Sequence, residues 1–357
     1  MGGDLAARAR HFALAALGSG RGALIRARHL RLGARFVAAR FRELHPFEVQ
    51  AVLLTACNLK CAYCRCPEVK SRVLGTEKWF AILRGLAELG TERIKFQGGE
   101  PTLRSDFRAI AAEAQRLGLR TAVVTNGTRV AEDPTLLDPV DEVVVSLDAL
   151  TPALHEAHRG AGTHAPALAA IDAALALGRP TYVVMVVSRG NVAEVEAMLD
   201  FCEARGIRLN PQPVAFGRQY YDEAARSIAL DGEGIRDLYR RLAEWRRQGR
   251  SLVFSTASYE YGAAWKDYDV LTVRGKFPSS CMAGKFYVNI EPNGDVHPCQ
   301  SCGADFRPKN AVDDGLAEAL RHARSHDCVD CFGSYLVERR LLFGLDPSAL
   351  WAELTRS

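Results

Sequence analysis

The chain has 357 residues, with 46 Lys and Arg against 42 Asp and Glu for a net charge of +4, and is 48% hydrophobic. That length fits about two structural units, and so apolar a composition excludes wholesale disorder. The small net charge gives no ground for nucleic-acid binding, and no apolar run approaches the roughly 18–20 residues that span a bilayer.

The charge is unevenly spread. No acidic residue falls between Asp4 and Glu43, where the arginines from Arg8 to Arg42 are interspersed with Phe12, Leu17, Leu24, Ile25, Leu30, Phe36 and Phe41. Such a basic amphipathic arm, residues 1–46, suits peripheral contact with an anionic membrane surface or a helix laid across a folded core. It is too short for a folded peptide-recognition domain. Its apolar stretch Phe12–Leu17 is brief and precedes most of the arginines, unlike a secretory signal, so a cytoplasmic location is expected.

Strand and helix signals alternate from Phe47 onward. Phe47–Leu54 reads as a strand, followed by a cysteine-rich loop and an amphipathic helix over Thr76–Leu89. Further strands are predicted over Arg93–Gln97, Thr121–Thr125, Glu142–Leu147, Thr181–Val187 and Arg208–Val214. Helices over Asp106–Leu117 (capped by Ser105), Pro166–Leu177 and Val192–Arg205 lie among them. Six strands alternating with helices, several near-continuously apolar, predict an α/β fold with a parallel sheet buried on both faces. Six strands instead of eight favour a partial (β/α)6 TIM-like barrel over 47–220, with ligands at the C-terminal strand ends. A looser stretch, 221–278, holds an exposed helix over Gly232–Arg247 and the aromatics Tyr259, Tyr261, Trp265 and Tyr268, placed to link or cover the barrel mouth. Phe286–Glu291 and Val296–Cys299 then flank Pro292-Asn293-Gly294-Asp295, a hairpin turn. Residues 279–335 read as a small hairpin-plus-helix domain and 336–357 as a terminal helix.

Ten cysteines are present, and nine fall into two widely separated groups, at 57, 61, 64 and 66 and at 281, 299, 302, 328 and 331. Clustered cysteines in a large chain without a secretory signal point to metal or redox chemistry, not to a disulfide scaffold. Cys57, Cys61 and Cys64 put three thiolates on one loop straight after the first strand. A four-iron cubane takes four thiolates, so a local triplet leaves one iron open to a small molecule. A structural zinc site is the bland alternative.

The C-x3-C-x2-C loop, with Tyr63 before its last cysteine, resembles that of the radical S-adenosylmethionine (SAM) enzymes. The resemblance runs from Val49 to Val214 through Gly98-Gly99-Glu100-Pro101, Thr125-Asn126-Gly127, Ser146-Leu147-Asp148 and Arg159-Gly160. It implies a SAM-binding 4Fe–4S cluster on Cys57, Cys61 and Cys64. It also implies that Gly98, Gly99 and Glu100 receive the SAM amino group, with the segment of Thr125 and Asn126 beside them. Ser146 and Asp148 would then face the ribose, Arg159 the carboxylate, and Asn210 to Val214 the adenine. The spacing of Cys281, Gly294 and Cys299 resembles the SPASM and twitch extensions of that family. With Cys328 and Cys331 it implies one auxiliary 4Fe–4S cluster. The further cysteines of a full SPASM domain are missing, which favours the shorter twitch form. Four thiolates suit zinc equally well, so a zinc knuckle stays open. Cys302 is a candidate hydrogen donor and Cys66 a bystander, while His297 and His326 have no coordination position left.

The resemblance implies reductive cleavage of SAM to a 5′-deoxyadenosyl radical, fed by a flavodoxin- or ferredoxin-type electron donor, and hydrogen abstraction from an unactivated carbon. A small-molecule or lipid substrate is the first expectation, in a net oxidation assisted by the auxiliary cluster. A peptide substrate is the alternative, and a non-catalytic zinc protein the alternative of another class. His155-Glu156-Ala157-His158 spaces its histidines three apart, fails the H-E-x-x-H pattern and reads as a solvated helix face.

Overall fold

A computed structural model describes residues 43–215, 220–221, 223–275, 281–301 and 306–354. The basic arm therefore lies outside the described residues, apart from its last few positions, and so does Cys302. Leu44–Ser357 forms one compact unit.

The first half alternates strands and helices as predicted: β1 (Glu48–Val52), α1 (Thr76–Glu88), β2 (Arg93–Gln97), α2 (Phe107–Arg116), β3 (Arg120–Thr125), α3 (Thr128–Glu132) and β4 (Glu142–Ser146). It continues through α4 (Pro152–Arg159), α5 (His164–Ala176), β5 (Thr181–Val187), α6 (Val195–Ala204) and β6 (Arg208–Pro213). The second half comprises α7 (Gly232–Arg247), α8 (Thr256–Ala263), β7 (Thr272–Arg274), β8 (Tyr287–Ile290), β9 (Asp295–His297), β10 (Lys309–Asn310), α9 (Leu316–Ala323), β11 (Cys328–Cys331), α10 (Ser334–Phe343) and α11 (Pro347–Leu354). Strands β1 to β6 are parallel and follow chain order across the sheet. This is the expected six-stranded α/β core.

Two features depart from the sequence reading. The predicted hairpin is present, with Gly294 at φ +96° in its turn, but it is not a detached module. Its first strand, β8, pairs in parallel with β1 (Glu48↔Tyr287, Ala51↔Ile290) and so extends the main sheet. The second departure concerns the faces of the sheet. Val49, Ala51, Ile94, Phe96, Val143, Val145, Val183 and Met185 are fully buried in the core, together with Trp79 and Leu83 of α1 and Phe107 and Ile110 of α2. The alternate positions are polar in several strands: Gln50 on β1, Lys95 and Gln97 on β2, Ser146 on β4, and Asn210 and Gln212 on β6 all line one cavity. Period-two alternation in β1 (EVQAV) and β2 (RIKFQ) separates these faces. The inner face borders a lumen, so it is not the apolar layer expected of a sheet buried on both sides.

Local differences have local causes. Helix α2 is capped at Asp106, not Ser105, and the Asp106 side chain makes no capping bond. It accepts instead from Arg104 Nη2 at 2.6 Å and Thr76 Oγ1 at 2.6 Å. The helix α4 contains His155 and His158, and both are buried, which corrects the solvated-face reading. His155 Nδ1 accepts from the Asp148 backbone N–H at 3.1 Å, and His158 Nε2 lies 3.0 Å from Ser188 Oγ. Helix α7 buries Ile235, Leu238, Tyr239 and Leu242 and is half-covered, not exposed. Among the described residues, no helix is long and apolar enough to cross a membrane.

Candidate active site

The C-terminal ends of the strands open into a cavity of about 390 Å³. Cys57, Cys61 and Cys64 line it, and all three are free and partly exposed. Their loop is held from several sides. Tyr63 donates its hydroxyl to Asp148 Oδ2 at 2.7 Å, and the Ala62 N–H donates to the His158 carbonyl at 2.8 Å. Asn126 Nδ2 donates to Asn58 Oδ1 at 2.9 Å and lies 3.8 Å from Cys57 Sγ. Burial pushes the Cys57 and Cys64 thiols up and Cys61 up to about 11. A bound metal cluster would be needed to draw these thiols into their ligating thiolate form.

Gly98 and Gly99 stand where β2 meets the backbone leaving β1. A Cβ at Gly98 would collide with the Leu54 carbonyl, and one at Gly99 with those of Thr55 and Ala56. The Gly99 and Glu100 N–H groups donate to Leu54 and Ala56 oxygens, both at 2.9 Å. The glycines are thus required for close packing against the segment that becomes the cysteine loop, a reason the sequence alone did not reveal. Glu100 is buried, and its Oε1 accepts from Thr102 N, Thr102 Oγ1 and Thr125 Oγ1. Its Oε2 accepts from Asn126 N at 2.7 Å. Burial raises the Glu100 carboxyl against these bonds. The side chain therefore ties together the ends of β2 and β3.

Asp148 is fully buried and does not line the cavity. It accepts from Tyr63, from Arg159 Nε at 2.7 Å and Nη2 at 3.1 Å, and from Val186 N at 2.9 Å. Its expected place against a ribose is thus taken by protein partners. Arg159 does reach the cavity, clamped on Asp148 and lying 5.7 Å from the Tyr63 ring centroid. Ser146, Thr125 and Asn126 line the same wall. Asn210 also lines the cavity, and its Oδ1 is buried with no donor. An orphaned acceptor, a cationic clamp and three sulfur donors on one cavity fit a ligand with amino, carboxylate and base groups bound next to an iron–sulfur cluster.

Residues 52–202 match the radical SAM superfamily. The chain is 32% identical over 286 residues to the PqqA peptide cyclase of Streptomyces rochei, covering 75% of this chain and 74% of the relative. It is 31% identical over 266 residues to that of Gluconobacter oxydans, covering 72% and 70%. The chain belongs to the radical SAM superfamily. The enzyme also shares its fold with Streptococcus suis SuiB bound to S-adenosylmethionine, at TM-score 0.63 and 18% identity over 84% of this chain and 71% of that one. SuiB bound to the precursor peptide SuiA aligns at TM-score 0.62 and 19% identity over 91% and 79%. The enzyme therefore uses SAM and a 4Fe–4S cluster, as the family does.

The second cysteine group also converges. Cys299 and Cys331 share one buried cluster with Ala283, Tyr287 and Leu336, and the partly buried Cys281 packs against it. The Cys328 thiol donates to Cys281, drawing Cys281 below the usual thiol range and pushing Cys328 above it. Tyr287 bonds Cys281 as well. His326 Nε2 lies 3.0 Å from the Ala283 oxygen, and its Nδ1 accepts from Cys328 N at 3.2 Å. It acts as a brace between the two cysteine segments. The sequence reading missed Tyr220 and Glu291. Tyr220 lines the cavity, its carbonyl accepts from the Arg65 N–H, and its hydroxyl donates to buried Glu291. Cys66 is buried and borders the same cavity.

Proposed function

We propose that this enzyme modifies a peptide by radical chemistry, in a net oxidation. The observation that carries this reading is the cavity itself: three partly exposed cysteines share it with an aromatic wall of Tyr239, Tyr268, Phe332 and Tyr335. The relatives add the substrate class. Curated proteins matching over more than two thirds of both chains are PqqA peptide cyclases, which favours the peptide over the small molecule or lipid expected first.

When bound, SAM and its cluster supply a 5′-deoxyadenosyl radical that removes a hydrogen atom from the substrate. The chain's own residues position and shield that event. Cys57, Cys61 and Cys64 hold the cluster, and Tyr63, fixed by Asp148, sets the loop. The backbone of Gly98 and Gly99, braced by Glu100, accepts the SAM amino group beside Thr125 and Asn126. Arg159 takes the carboxylate, and Ser146 and Asn210 contact the nucleoside. Cys281, Cys299, Cys328 and Cys331 would hold an auxiliary 4Fe–4S cluster, which would supply an acceptor for the remaining substrate electron, and a flavodoxin- or ferredoxin-type protein would deliver the initiating one.

The test is anaerobic reconstitution followed by incubation with SAM, reductant and a deuterated peptide encoded beside the gene. Deuterium in 5′-deoxyadenosine, and from the unlabelled peptide a product about 2 Da lighter per new bond, are expected. Transfer only from a lipid or small molecule overturns the peptide assignment. Uptake of zinc without iron and sulfide overturns the whole reading.

A further inference from the structure

The cavity has a deeper end than the cysteine rim. Lys95 precedes Gly98 by three positions on β2, so it stands about 10 Å further down the lumen. Its side chain is 14% exposed and lines the cavity. Among the described residues its Nζ has no hydrogen-bond acceptor; its contacts are Glu48 Oε1 at 3.9 Å and the Tyr335 ring at 4.6 Å.

The carboxylates nearby are already claimed. Tyr335 donates to Glu48 Oε1, and Arg339 Nε lies 2.9 Å from Glu48 Oε2 as an ion pair not aligned for a hydrogen bond. Glu142 sits 4.0 Å from Arg93, and Glu353 lies 3.5 Å from both Arg93 and Arg339. Burial opposes ionisation of Glu48, but Arg339, Arg93 and Lys95 together hold its carboxyl at about 2. Burial, joined by Arg339 and Arg93, also lowers Lys95 below the usual amine range despite Glu48 and Glu142. Two basic residues line the cavity among the described residues, and the other, Arg159, is clamped on Asp148. Lys95 is ion-paired with Glu48 at 3.9 Å but has no hydrogen-bonded acceptor, so its donors are left for an anion that enters the cavity.

We infer that Lys95, with the amides of Gln50 and Gln97 beside it, anchors a carboxylate of the peptide substrate and so selects peptides that present an acidic group to the lumen. The two amides make only long contacts of 3.5 Å, between Gln97 Nε2 and both Gln50 Oε1 and Asn289 Oδ1, so a charged acceptor can recruit them. The carboxylate comes from an acidic side chain or from the peptide C-terminus. This inference rests on the peptide reading above.

Calorimetric titration of the cluster-loaded full chain with three probes tests it. N-acetylglutamate methylamide carries a side-chain carboxylate, N-acetylglutamine an α-carboxylate, and N-acetylglutamine methylamide neither. One carboxylate probe binds about tenfold or more tighter than the neutral one, and which of them does so names the source. Lys95→Met erases that preference, whereas Lys95→Arg keeps it. Circular dichroism establishes that both variants fold, and the wild-type probe preference stands as a test even if Lys95→Met does not. Equal binding of all three probes by the wild type, no measurable carboxylate binding, or a preference that survives Lys95→Met overturns the inference. Wild-type release of 5′-deoxyadenosine reports on the radical reading separately: release without a carboxylate preference sinks only the role of Lys95.

Discussion

The N-terminal cysteines sit partly exposed on a loop that faces a cavity, while Cys328 is buried and Cys299 and Cys331 are buried among Ala283, Tyr287 and Leu336. Both groups have the thiols for an iron–sulfur cluster, so ligand chemistry does not distinguish them. Access does. A cluster held by three ligands at a cavity can exchange a small molecule, whereas one enclosed by four can only pass electrons or brace the fold. The comparison predicts unequal consequences when each set is broken.

The largest effect belongs to the open set. Replacing Cys57, Cys61 and Cys64 by Ala should reduce 5′-deoxyadenosine release to the level without enzyme, measured anaerobically with excess reductant. Replacing Cys328 and Cys331 should instead lower bound iron from about eight atoms per chain to about four and leave measurable release. If both sets abolish release equally, the distinction between an open and an enclosed group fails.

A smaller effect comes from the residue that joins the two regions. Glu291 follows β8, whose Tyr287 contacts the buried cysteines, and it accepts from Tyr220, whose carbonyl accepts from Arg65 on the open loop. Burial raises its carboxyl to about 7, against the bonds from Tyr220 and Asn289. The folded state thus holds a proton that the unfolded chain releases near 4.5. The stabilising contribution is full below about pH 4.5 and is lost as pH rises through 7, a span worth about 3 kcal/mol. Chemical denaturation of Glu291→Gln across that window should show a correspondingly flatter pH dependence. An unchanged slope would show that Glu291 does not hold the proton.

Much of this was legible before the structure, and what was missed has physical causes. The six strands followed from apolar runs closed by turn residues, and the cysteine loop from three thiols at a fixed spacing. The polar lumen was also written in β1 and β2, where Gln50, Lys95 and Gln97 alternate with buried apolar residues. It was obscured because neighbouring strands such as β4 (EVVVS) are almost wholly apolar. Asp148 and Glu100 carry family positions, yet their carboxylates are consumed by partners 11 to 85 positions away in the chain for Asp148 and up to 26 for Glu100. No local pattern encodes such contacts. The burial of His155 and His158 was hidden for the same reason, since Ser188 reaches His158 only once β5 lies beside β4.

The smallest effect is the most direct test of access. In metal-free protein at pH 8, limited iodoacetamide should label Cys57, Cys61 and Cys64 well over tenfold faster than Cys299 and Cys331, read by peptide mass spectrometry. Thiolate content alone gives about tenfold in that direction at pH 8, with Cys61 pushed up to about 11 and Cys331 to about 12, so the excess over tenfold is what reports exposure. Cys281 sharpens the test. Bonded by Cys328 and drawn below the usual thiol range, it is also only partly buried, so it should label early although it belongs to the enclosed group. Once modified, it can no longer accept from Cys328, and labelling of Cys328 should follow. Uniform labelling of all seven thiols would mean that the enclosed group opens as readily as the loop, and access would then no longer separate the two sites.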